Sequence, residues 1–71
     1  MTEELAINAI GRAKMNGRTL LGDSIDYVNF RDIVESNIKL NKIWYEYLSA
    51  EVEGEGDNEK WYLTYNENKW N

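Results

Sequence analysis

Seventy-one residues with a net charge of −5, no cysteine and no histidine make one small domain at most. Disulfides are excluded, and so is an ordinary zinc or copper site, so stability must come from packing or from a partner chain. No apolar run approaches the roughly 20 residues that span a bilayer, and the acidic start Met-Thr-Glu-Glu is unlike a secretion signal, so a cytoplasmic protein is expected.

In chain order, residues 2–16 read as a helix. Thr2 can cap it, Glu3 and Glu4 suit the positive end of its dipole, and Asn16-Gly17 supplies the stop. Leu5, Ala6, Ala9, Ile10 and Ala13 recur at helical spacing as one apolar stripe. Residues 18–24 read as a connection anchored by Leu20-Leu21. A second helix is expected over about 25–36, capped by Asp23 or Ser24, or by Asn29 with Asp32 behind it. Phe30, Ile33, Val34 and Tyr27 would face inward.

Residues 38–52 carry two conflicting signals. Leu40, Ile43, Trp44, Tyr47 and Leu48 follow the helical i, i+3, i+4, i+7, i+8 pattern. Trp44, Tyr45, Tyr47 and Val52 favour strands. Residues 60–65, Lys-Trp-Tyr-Leu-Thr-Tyr, make a clearer strand, and a strand needs a partner. The nearest lies across the turn at 54–58, which predicts a hairpin of roughly 43–52 with 59–66. If the helix wins instead, the last strand must pair near residues 18–28 or stand as an open edge. Residues 67–71 are expected to fray, with Trp70 able to dock.

The fold class expected is therefore α+β, two N-terminal helices followed by a C-terminal β-hairpin. The alternative is a mostly α domain with one long central helix and a C-terminal strand.

Charge is uneven along the chain: residues 12–42 sum to +2 and residues 43–71 to −5. Glu51, Glu53, Glu55, Asp57 and Glu59 alternate through the turn. Aligned with a calcium loop, Glu51, Glu53 and Glu55 fall at positions 1, 3 and 5, but position 12 is Tyr62 where a bidentate Glu is required. No cofactor or metal is expected. The plain reading of these acids is a solvated turn. In extended chain, however, alternate carboxylates stand about 6.6 Å apart, a row able to imitate a nucleic-acid backbone.

Seven of the nine aromatic residues lie beyond position 43, more than one face of a hairpin can bury. Trp44, Tyr45, Trp61 and Tyr62 are thus candidates for an exposed binding surface, against the plainer expectation of core and cross-strand pairs. Arg12, Lys14, Arg18, Arg31, Lys39 and Lys42 can line a phosphate-contacting face, or simply complement helix ends. Two helices and a hairpin resemble the outline of winged-helix DNA binders. The second helix, which would then read bases, carries Asp26, Asp32 and Glu35, and these repel phosphate.

Nothing supports catalysis: the glycines match no phosphate loop or dinucleotide fingerprint, and no serine sits in a nucleophile elbow. A small acidic protein-binding module is expected, a modulator or inhibitor of a host protein acting through Trp44, Tyr45, Glu53, Glu55, Asp57, Trp61 and Tyr62. A DNA-binding accessory or transcriptional regulator is the alternative, with direct nucleic-acid contact disfavoured by the net charge. The Asn-, Glu-, Lys- and Tyr-rich composition without proline suits an AT-rich genome, such as those of low-GC bacteria and their phages. No membrane partner is expected. A thin core with surplus aromatics predicts a homodimer.

Overall fold

The computed structural model describes residues 1–67, so the expectation for Trp70 lies outside the described residues. Helix α1 (Glu3–Asn16) starts where the Thr2 hydroxyl accepts from the Leu5 amide at 3.2 Å. It stops at Gly17, whose φ of 82° is open to glycine at little cost. Strand β1 (Arg18–Gly22) follows directly. Helix α2 (Ser24–Glu35) opens with a capping box, Asp23 accepting from the Asp26 amide and Asp26 from the Asp23 amide. Helix α3 (Ile38–Tyr47) is capped by Asn37, whose side-chain oxygen accepts from the amides of Lys39 and Leu40. Strand β2 (Leu48–Glu53), a single 3-10 turn at Gly56–Asn58 and strand β3 (Lys60–Tyr65) complete the described chain.

The fold is α+β, with three helices and a three-stranded antiparallel sheet in the order β1-β3-β2. The expected two helices and hairpin hold in outline and are corrected in two places. Residues 38–52 are neither one helix nor one strand. They form α3 and then β2, with Leu48 turning from helical to extended backbone at φ −108°, ψ 149°. Leu48 ends the helical stripe and begins the inner face of the sheet, fully buried in both roles. The hairpin is accordingly shorter than expected, 48–53 with 60–65. The second correction is β1. Residues 18–22, read as a connection, pair with β3 on its other side, Arg18 opposite Thr64 and Leu20 opposite Tyr62. The two partners weighed for the last strand both pair with it, one on each flank.

Alternation along the strands gives the sheet two unlike faces. Leu48, Leu63 and Leu21 turn to the helices and join Ala6, Ala9, Ile10, Ala13, Phe30, Val34 and Leu40 in one core. Leu5, expected on the apolar stripe of α1, is exposed instead. Tyr27 and Ile33 are half-buried at the core margin. No helix among the described residues is long and apolar enough to cross a membrane.

Candidate functional site

Helices α2 and α3 meet across a two-residue turn, Ser36-Asn37. The Ser36 hydroxyl donates to the Ile33 carbonyl at 2.9 Å, closing the end of α2. The Asn37 amide donates to Glu3 at 3.1 Å, tying the start of α3 to the start of α1. The stripe Leu40, Ile43, Trp44 and Tyr47 anchors α3 inward. The Trp44 ring tilts against Phe30 at 6.2 Å, and Tyr47 stacks on Tyr65 at 5.4 Å. Helical geometry then sends Ile38, Lys42 and Tyr45, at i, i+4 and i+7, to the opposite side. Ile38 is 89% exposed and Tyr45 59%. Lys39 and Asn41 flank this ridge. The first turn of α3 holds no acidic side chain of its own, and the acid nearest its start is Glu3 of α1, bonded to the cap residue Asn37. Among the described residues no carboxylate lies within ion-pair distance of Lys39, and Lys42 stands 4.0 Å from Glu46.

Most of the aromatic set has work inside the fold. Trp44, expected to be exposed, is half-buried, with the Arg31 guanidinium 4.2 Å over its ring. Trp61, also expected to be exposed, stacks on Tyr27 at 4.4 Å, and its indole N–H donates to Glu59. Both are half-buried and make ring contacts within the fold, so, contrary to expectation, neither is fully exposed. Tyr62 points to the outer face of the sheet and is half-covered by Arg18, whose guanidinium lies 3.8 Å over the ring. Of the four aromatics proposed for binding, Tyr45 alone is exposed.

The acidic row breaks up in the same way. Glu51 and Glu53 do share the outer face of β2, but Arg18 binds both, Glu51 at 3.5 Å and Glu53 through a short hydrogen bond. That hydrogen bond, foremost, raises the Arg18 pKa further against an opposing loss of hydration, and the charges of Glu53 and Glu51 add to the rise. Glu59 accepts from Trp61. Glu55 and Asp57 remain exposed in the turn, off the line of the strand, so no straight row of five carboxylates exists. Among the described residues no three acidic side chains gather as a metal site.

The basic residues divide. Arg18 is committed to Glu51 and Glu53. Arg31 is committed to Trp44 and, at 3.1 Å, to Glu35, with its Nη1 buried. The Arg12 Nε donates weakly to Thr19 at 3.4 Å. Lys39 and Lys42 come together on α3 with Tyr45 and Ile38, a grouping the sequence reading did not assemble. Its signal was present as the complement of the stripe Leu40, Ile43, Trp44 and Tyr47. The acids Asp26, Asp32 and Glu35, counted against base reading, lie on α2 and not on α3. No protein-family model, no curated protein and no solved structure matches the chain.

Proposed function

We propose that the chain is a DNA-binding module that lays the outward ridge of α3 in the major groove. The observation that carries this reading is the composition of the ridge on a helix-turn-helix pair: Ile38, Lys39, Asn41, Lys42 and Tyr45 on the outward side of α3. Each residue type has a partner on duplex DNA. Lysine reaches phosphate or the acceptors of guanine, asparagine pairs with adenine, and apolar side chains meet the thymine methyl. The chain order and strand order are also those of a winged helix-turn-helix. That likeness is an analogy of fold, and the site carries the argument.

The hairpin limits the contact. Glu55 and Asp57 sit where a wing would meet phosphate, so the hairpin stays off the backbone and α3 binds alone. If Lys39 and Lys42 neutralise two phosphates, affinity falls on the order of tenfold between roughly 50 and 200 mM salt. A labelled random-sequence duplex titrated by fluorescence anisotropy at low salt tests this. Binding is expected for the native sequence, is weakened in Lys39→Gln/Lys42→Gln and is equal or tighter in Glu55→Ser/Asp57→Ser.

A second reading rests on those same tip acids. Glu55 and Asp57 are exposed and form no ion pair among the described residues, which suits a protein partner with a basic surface. In that case the native chain ignores duplex DNA but binds a labelled oligolysine peptide, and Glu55→Ser/Asp57→Ser abolishes that binding. The chain would then act as a small modulator of another protein.

A further inference from the structure

Helix α1 turns Ala6, Ala9, Ile10 and Ala13 to the core and leaves its opposite face bare. That face presents Glu4, Ile7, Gly11, Lys14 and Met15 at helical spacing. Ile7 is 48% exposed and Met15 85%. Gly11 is the unusual member. Glycine inside a helix weakens it relative to alanine, so it needs a reason. The chain itself supplies none: its φ is not positive, and a Cβ built there meets nothing within 4 Å. The remaining use of a surface glycine is to let another backbone come close.

The charges say which backbone. Helix α1 opens on Glu3 and Glu4 and carries Lys14 in its last turn. A second α1 laid antiparallel sets the acids of each helix against Lys14 of the other, with the two dipoles opposed. The midpoint between Glu4 and Lys14 is residue 9, within a turn of Gly11, so the pairing that matches charges also brings the two glycines near the crossing. In that register Ile7 of each copy meets Gly11 of the other, and Met15 lies against the first turn of the other. We infer that this face of α1 docks a second copy of the chain across a two-fold axis near Gly11. Such an axis makes one patch serve both partners. A helix of 14 residues is about 21 Å long, and one face of it buries well under the roughly 800 Å² per partner of a standard interface. The dimer is therefore weak and concentration-dependent.

The inference is independent of the DNA reading, since it is measured without DNA. Sedimentation velocity from micromolar to millimolar protein should show a reversible shift from monomer to dimer mass. Gly11→Gln should remain monomeric throughout while its thermal midpoint, read on dilute protein, stays equal or rises, because Gln is the better helix former. Met15→Glu should also abolish the dimer. Glu4→Lys and Lys14→Glu should each weaken association, and the two together should restore it. A native chain that stays monomeric at millimolar concentration overturns the inference. So does a dimer that survives Gly11→Gln and Met15→Glu, or a charge-swapped pair that fails to restore what the single changes lose.

Discussion

Leu63 lies at the centre of the central strand and is fully buried among helix side chains. Its truncation to alanine should cost about 2–5 kcal/mol, from lost burial and the cavity left behind. A domain of this length holds only about 4–11 kcal/mol in total, so the variant should show a much lower urea midpoint. Trp61 makes a sharper residue-scale case, because its type alone suggested a binding hot spot. Its stacking on Tyr27 is worth about 0.5–1.5 kcal/mol beyond burial. Trp61→Ala should therefore lower the thermal midpoint by several degrees in a circular-dichroism melt, at roughly 4–8 °C per kcal/mol. Lys42→Gln, on the exposed side of α3, should move it by no more than about 0.5 kcal/mol would. Residue type announced that Trp61 mattered. Whether it mattered to folding or to binding depended on Tyr27, thirty-four positions earlier in the chain, and no local pattern joins the two.

The elements that were legible are those with their own punctuation. Helix α1 has Thr2 and Gly17 at its ends, α2 has Asp23 and Asp26, and β3 has its run of strand-favouring Trp61, Tyr62, Thr64 and Tyr65. The junction of α3 and β2 has none. Tyr47 is helical and Leu48 extended, with no glycine or proline between them, so the helical and strand signals ran together. Strand β1 was hidden for another reason. Arg-Thr-Leu-Leu-Gly is short and puts two leucines side by side, and pairing with β3 is what makes it a strand. The hairpin turn yields an element-scale prediction. Gly54 has φ 85°, and a Cβ there would run into the Asn58 carbonyl oxygen. Gly54→Ala should destabilise by more than about 1 kcal/mol. Gly56 also has positive φ, 59°, but open space around it, so Gly56→Asn should cost less. Urea unfolding of the two variants side by side checks this. Equal losses would mean that the clash with Asn58 is relieved by movement of the turn.

At the scale of the molecule, β3 is the central strand, with β1 on one flank and β2 on the other. One face of the resulting sheet carries the helices. The other carries Glu51, Glu53 and Tyr62 gathered around Arg18. Net charge is therefore a poor guide to what any one face presents. A chain of −5 spends Glu51, Glu53 and Glu59 on its own side chains and keeps Lys39 and Lys42 outward on α3. The candidate site was half legible: Tyr45 and the two lysines were singled out separately, but only a helix over residues 38–47 brings them to one ridge. The central claim, that α3 meets duplex DNA, is tested most directly by nuclear magnetic resonance. Amide shifts of isotope-labelled protein are followed as a short random-sequence duplex is added at low salt. The account predicts that the perturbed amides cluster at Asn37 to Glu46, with the hairpin tip unmoved. Perturbations confined to residues 53–59, or none at any duplex concentration, would contradict it.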